Sequence, residues 1–325
     1  MIPTKLSKGD EIRVISPARS MAILLDDTKN IAKKRLEELG FRVSFSEHVN
    51  EKDIFDSSSI QSRVDDLHNA FSDKNVKAIL TTIGGFNSNQ LLRYLDYDLI
   101  KSNPKILCGY SDITALSNAI YAKTGLIVYS GPHFSSFGMK KGFDFTLEYF
   151  KKCLMTEESF EAVASEKWSD DCWFFEQEKR KFIDNEGYLS INQGETEGTI
   201  IGGNLCTFNL LQGTEFFPDL NGTIVFVEDD SEVNPHDFNR DLQSLIHQPD
   251  FEKVKGIVIG RFQKDSEFNN DKLIKIIKTK KELSNIPVIA NVDFGHTTPH
   301  ITFPIGGRVR IVSKDNACKI EIIEH

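Results

Sequence analysis

Up to about residue 130 the chain repeats one pattern: a short apolar run, a tight turn, then a stretch with apolar residues at helical spacing. The apolar runs are residues 12–16 (IRVIS), 41–45, 76–83, 105–110 and 126–130. Between them, residues 26–40 carry Ile31, Leu36 and Leu39 and stop at Gly40, as helices often do. Residues 59–72 place Ile60, Val64, Leu67, Ala70 and Phe71 at helical spacing, with Ser59 as the N-cap. Residues 89–100 and 112–124 complete the series. Alternation at this rhythm predicts an α/β fold with a doubly wound, mostly parallel, flavodoxin- or Rossmann-like sheet.

Sheets of that kind bind ligands beyond the carboxyl ends of their strands. Turns 16–19, 84–87 and 109–112 meet at that edge, and all carry unusual chemistry. The last lies in KILCGYSDITAL (105–116), where a strand runs into a helix with no loop between them. Such an elbow lifts the turn residue's side chain above the sheet, beside the N–H groups of the helix start, which makes Ser111 a candidate nucleophile. Gly84-Gly85 is either a plain tight turn or one that lets a backbone N–H approach a reacting carbonyl, completing an oxyanion hole with the N–H of Asp112.

A serine nucleophile needs a base, and the base needs a group to orient it. Of eight histidines, His48, His68, His236, His247 and His325 sit in the ordinary polar contexts of surface residues, and His300 follows a proline without a clear signal. His133 ends the fifth apolar run, near the same sheet edge. His296 closes PVIANVDFG, where a buried strand emerges, and is the better base candidate; a hydrogen-bonded core histidine is the alternative. Glu228 ends the apolar TIVFV, where a carboxylate is costly to bury without a partner such as an imidazole. With Asp229, Asp230 and Glu232 following, a solvated acidic turn is the other reading. The run lacks the spacing of a calcium loop, and neither metal nor another cofactor is expected.

A helix at 144–155, with Asp144 as N-cap, closes a first domain at residues 1–155. Residues 156–195 change character and hold Trp168 and Trp173, both tryptophans of the chain; a connector this long tends to be functional. Residues 196–325 form a smaller, β-rich domain with strands at 198–201, 223–227, 256–260, 287–291, 308–313 and 317–323. Its helices are expected at 237–247 and 271–283, with a hairpin signal at Lys314-Asp315-Asn316. Gly202-Gly203-Asn204 opens a second strand-to-helix turn, either a helix cap or a wall of the substrate site. A net charge of −9 argues against a nucleic-acid polymer as partner. No apolar run reaches signal-peptide or membrane-span length, and five scattered cysteines without CxxC spacing indicate neither zinc nor disulfides, so a reducing cytoplasm is expected.

Together, VISPA, TIGGFNSNQLL, CGYSDITAL, GTIIGGNL, VFVEDD and FGH resemble the LD-carboxypeptidase family of serine peptidases across essentially the whole chain. The segments WSDDCWFFEQEKR and NEGYLSINQGETEGTIIGGNL point within it to the microcin C immunity peptidases. The resemblance implies a Ser-Glu-His triad at Ser111, Glu228 and His296 and an oxyanion hole at the backbone of Gly85 and Asp112. It implies a barrel-like second domain, a cleft between the domains, a homodimer and a small peptide or peptidyl-nucleotide substrate. In that branch a loop aromatic stacks on the base, a role that falls to Trp173 first and Trp168 second. Gly84 and Asn204 line the substrate side, and Arg19 and Asn204 are the residues available for the substrate's acidic group. The implied reaction is cleavage between a terminal acidic amino acid and a nucleotide. The alternatives are release of terminal D-alanine from muropeptides and a binding module without catalysis.

Overall fold

The computed structural model describes residues 1–314 and 317–325, so Asp315 and Asn316 of the hairpin signal lie outside the described residues. In the first half, strands β1 (Glu11–Ile15), β2 (Arg42–Phe45), β3 (Val76–Thr81), β4 (Ile106–Cys108) and β5 (Val128–Ser130) alternate with helices α1 (Asp26–Glu38), α2 (Ile60–Ser72), α3 (Tyr97–Ser102) and α4 (Thr114–Thr124), and α5 (Asp144–Met155) follows. The second half holds β6 (Phe160–Glu161), β7 (Lys167–Trp168), β8 (Ile183–Asp184), β9 (Leu189–Asn192), β10 (Gly194–Asn204), β11 (Thr223–Glu228), β12 (Gly256–Gly260), β13 (Val288–Val292), β14 (Phe303–Ile305), β15 (Arg308–Ser313) and β16 (Lys319–Glu324). Helices α6 (Leu205–Asn209), α7 (Pro235–Ile246) and α8 (Asn270–Lys278) lie among them.

Strands β1 to β5 pair in parallel in the order β5-β4-β3-β1-β2. The elements form for local reasons. Ser59 Oγ accepts from Ser62 N to start α2, whose Val64, Leu67, Ala70 and Phe71 are buried, and Gly125 in the left-handed region ends α4. One helix expected over 89–100 is instead a 3-10 turn at Ser88–Leu91 and a separate α3. Asp96 restarts the helix by accepting from Leu99 N at 2.8 Å, while Ser88 N is drawn away to a carboxylate at the elbow. Asp144 is the first residue of α5 rather than its N-cap: Phe143 holds that place without a side-chain bond, and the Asp144 charge faces the positive helix end.

The second sheet has eight strands in the order β6-β16-β15-β10-β11-β12-β13-β9, with β10 to β13 parallel. It curls until Ser190 Oγ of β9 meets Ser313 Oγ of β15 at 2.9 Å, which gives the barrel-like curvature. Segment 156–195 contributes β6 and β9 to this sheet and the small β7–β8 pair above it.

Two features lock the halves together. Strand β14, which the sequence reading did not isolate, adds antiparallel to β5 and so joins the first sheet. Buried Asn118 of α4 donates to Gly202 O at 2.8 Å and accepts from Gly202 N at 3.0 Å, while Asn204 N donates to Thr114 Oγ1 at 3.0 Å. Gly202 and Gly203 have φ of 105° and 131°, and a Cβ at Gly203 would collide with Thr114, so the strand-to-helix turn docks on α4 because it carries no side chains there. Phe303 of β14 lies 4.9 Å from Phe226 and 5.2 Å from Phe294, ring centre to ring centre, in the core between the sheets. Phe303→Ala is expected to cost about 3–5 kcal/mol of stability, read from the urea midpoint. A loss under about 1 kcal/mol would remove that contact as a joint between the halves.

Candidate active site

Ser111 stands at the carboxyl end of β4 with φ of 61°, a left-handed conformation that a non-glycine residue adopts only where its surroundings enforce it. The strain is the elbow's signature and holds the hydroxyl up beside the first turn of the following helix. His296 Nε2 lies 3.0 Å from Ser111 Oγ, and His296 Nδ1 lies 2.8 Å from Glu228 Oε2. Three residues separated by up to 185 positions in sequence thus form one chain of hydrogen bonds.

Glu228 closes β11, in which every residue is buried, and is itself 2% exposed, so the solvated-turn alternative does not hold. Glycines make its space. A Cβ at Gly260 would stand 2.7 Å from Glu228 Cβ, and one at Gly295, where φ is 99°, would collide with the carboxylate. Burial pulls the His296 pKa down, but the Glu228 charge and hydrogen bond, with Asp230 and Asp229, outweigh it and hold the imidazole up at about 9. Burial first, and then the Glu228 charge, raises the neighbouring Asp229 carboxyl well above the ordinary range.

The Gly84-Gly85 turn faces Ser111, and a Cβ on Gly84 would lie 2.9 Å from both Ser111 Cβ and Ser111 Oγ. A Cβ on Gly85 would press on Ala18 and Arg19 of the 16–19 turn, at 3.1 Å and 3.2 Å. All three turns singled out in the sequence therefore converge. Asn204, paired with Glu228 across β10 and β11, caps α6 by accepting from Thr207 N at 3.0 Å. The tryptophans part company. Trp173 lines a mostly apolar cavity of about 350 Å³ with Arg19, Leu24, Ile83, Phe174 and Phe175. Trp168 lies in a different cavity, its ring 5.0 Å from the Arg261 guanidinium and 5.5 Å from Lys264 Nζ.

Two histidines were undervalued by the sequence reading. His133 is buried, stacks on Tyr110 at 4.4 Å and meets Thr81 Oγ1 through Nδ1 at 2.7 Å, while Nε2 finds no partner among the described residues. His300 is also buried, 5.0 Å from Tyr110, and burial and then the His296 charge push its pKa down to about 4. For His300 no local signal existed, since its environment is assembled from distant segments. His325, expected at the surface, is 4% exposed and holds Glu158 O and Lys5 Nζ.

A family model for the LD-carboxypeptidase N-terminal domain matches residues 12–131, and one for the C-terminal domain matches residues 197–311. The chain belongs to the LD-carboxypeptidase family. A Bacillus subtilis (strain 168) member, "Putative carboxypeptidase YocD", is 61% identical over 100% of both chains. The Microcin C7 self-immunity protein MccF of Escherichia coli is 32% identical over 96% of this chain and 93% of its own. A "Probable murein peptide carboxypeptidase" of Bacillus subtilis (strain 168) is 29% identical over 98% of this chain and 94% of its own. Among solved structures, an MccF-like protein from Bacillus anthracis str. Ames superposes with a TM-score of 0.99 at 58% identity and full coverage of both chains. MccF in complex with aspartyl sulfamoyl adenosine superposes with a TM-score of 0.89 at 32% identity, covering 100% of this chain and 99% of its own.

The family's fold, a parallel-sheet N-terminal domain and a separate sheet-rich C-terminal domain, is the one found here. Two measurements follow from the site. His296 is expected to titrate near 9 and distinctly lower in Glu228→Gln, because burial is then opposed only by the weaker Asp230 and Asp229 charges. An NMR titration of the imidazole with unchanged values in the two proteins would remove Glu228 from that role. Gly84→Ala is expected to keep the fold and lower the reactivity of Ser111 by roughly 100-fold, since its methyl group displaces the hydroxyl. Full reactivity in that variant would show that the turn lies farther than 2.9 Å from Ser111.

Proposed function

We propose that this LD-carboxypeptidase-family hydrolase is a serine peptidase cleaving the acyl–nitrogen bond between a terminal acidic amino acid and a nucleotide. Ser111, His296 and Glu228 are its triad, a reading supported by the two hydrogen bonds at 3.0 Å and 2.8 Å. In the working state His296 is neutral, with the proton on Nδ1 donated to Glu228 and the Nε2 lone pair facing Ser111. Ser111 Oγ attacks the carbonyl carbon as its proton passes to Nε2, and Glu228 stabilises the resulting imidazolium. The backbone N–H groups of Gly85 and Asp112 receive the oxyanion, a role in which one such donor is worth about 3–4 kcal/mol. Collapse of the intermediate breaks the carbon–nitrogen bond, and the leaving nitrogen takes the proton from Nε2. Water then attacks the acyl-enzyme by the same relay and releases the free acid. Because the imidazole is held up at about 9, kcat/KM should rise as pH climbs through 7 to 9, where the neutral base form is gained.

The observation that carries the substrate reading is the aromatic-walled cavity lined by Trp173, Phe174, Arg19 and Ile83. Trp173 and Phe174 offer faces for a nucleobase, and Arg19, lining the same cavity, supplies a positive charge for an acidic group. MccF bound to aspartyl sulfamoyl adenosine supports the same class. The second reading is a muropeptide carboxypeptidase, favoured by the murein-peptide relative. It uses the same triad and leaves the aromatic cavity without a role. Hydrolysis of aspartyl sulfamoyl adenosine and of a tetrapeptide ending in D-alanine, with Ser111→Ala as control, separates the two. We expect the first to be cut, Ser111→Ala to be inactive, and Trp173→Ala to raise KM for the nucleotide substrate alone, by about tenfold. Exclusive cleavage of the tetrapeptide would overturn the nucleotide reading, and cleavage by Ser111→Ala would overturn the nucleophile.

A further inference from the structure

The residue after the nucleophile has a side chain with work of its own. Asp112 is 2% exposed, and its Oδ2 accepts from Ser88 N at 2.9 Å and Asn87 N at 3.1 Å. Ser88 Oγ in return donates to Asp112 O at 2.6 Å. These three bonds join the elbow to the turn that carries Gly84 and Gly85. From the other side Arg63, also 2% exposed, donates to Asn87 O at 3.1 Å and Pro17 O at 3.2 Å, so the 16–19 turn is tied into the same knot. Elsewhere in the turn the backbone link is one long contact, Arg19 N to Gly84 O at 3.4 Å.

We propose that the Asp112 carboxylate is a positioning group that fixes the distance between the two halves of the oxyanion hole, its own backbone N–H and that of Gly85. This rests on the hydrolase reading above. A buried carboxylate is costly unless it is hydrogen-bonded, and here one oxygen, Oδ2, collects two successive N–H groups. The residue that supplies one oxyanion donor thereby sets the position of the other. Oδ1, by contrast, finds no partner among the described residues. An amide at this position can therefore keep its oxygen on the two N–H groups and place its NH₂ where nothing is displaced.

The test uses a fluorophosphonate, which phosphonylates an activated serine through the same oxyanion hole and does not require the natural substrate. Asp112→Ala is expected to lower the second-order labelling rate of Ser111 by about 100-fold, the scale of losing one oxyanion donor. Asp112→Asn is expected to recover most of it, to within about tenfold of the wild-type rate, because the acceptor is kept. A labelling rate in Asp112→Ala within threefold of wild type, or an Asp112→Asn rate as low as that of Asp112→Ala in folded protein, overturns the inference. If Asp112→Ala does not fold, Asp112→Glu asks the same question by keeping the charge while moving the oxygen that accepts from Asn87 N and Ser88 N: about tenfold slower labelling supports the proposal, and an unchanged rate overturns it. A wild-type protein that is neither labelled nor active sinks the hydrolase reading and this inference with it, whereas undiminished labelling of Asp112→Ala sinks this one alone.

Discussion

A carboxylate buried at the end of a fully buried strand is the constraint around which the second half of this molecule is arranged. Glu228 can be held there because His296 Nδ1 meets it at 2.8 Å and because Gly260 and Gly295 leave it room. Removing one partner of a buried charged pair typically costs about 3–5 kcal/mol, since the other is left unpaired. The same field acts on its neighbours. Burial and the Glu228 charge raise the neighbouring Asp229 carboxyl well above its ordinary range.

The other half of the site is held by strain rather than charge. Ser111 keeps a left-handed backbone because β4, the first turn of the helix and the Gly84 turn together leave no other course. His296 arrives from the second sheet, and the two are brought into reach by α4: Asn118 and Thr114 hold the Gly202–Asn204 turn against this helix, which begins three residues after Ser111. Neither sheet holds the complete hydrogen-bonded chain, so the contact between them is as much part of the site as the side chains.

Residues 156–195 are fastened to the same centre. Asp293, three residues before His296, accepts from Ser165 N at 2.7 Å and pairs with Arg261 at 3.4 Å, while Ser169 and Thr298 form an isolated antiparallel bridge. Arg261 in turn lies against Trp168. One tryptophan thus packs on the residues that hold the histidine turn, and the other, Trp173, walls a separate cavity.

The alternation of apolar runs and helical faces was enough to read the parallel first sheet, because each period reports local burial directly. Its errors fall where a distant group decides: the 89–100 helix breaks at a turn whose Ser88 answers to Asp112, and β14 was invisible because Phe303–Ile305 pairs with a strand more than 170 positions away. Ser111, Gly84 and Gly85 were legible as turn chemistry, and Glu228 and His296 as polar residues at strand ends. Composition and spacing left each of the last two with an ordinary alternative, and a likeness to a family was needed to join them. His133, His300 and the carboxylate of Asp112 owe their surroundings to segments far apart in the chain, so nothing adjacent to them marks what they do. By itself, then, the sequence determined which turns carry reactive groups, because backbone conformation and burial are written into neighbouring residues. The tertiary structure alone decided which groups face one another, because that depends on how two sheets dock through α4, and on the distances the docking leaves.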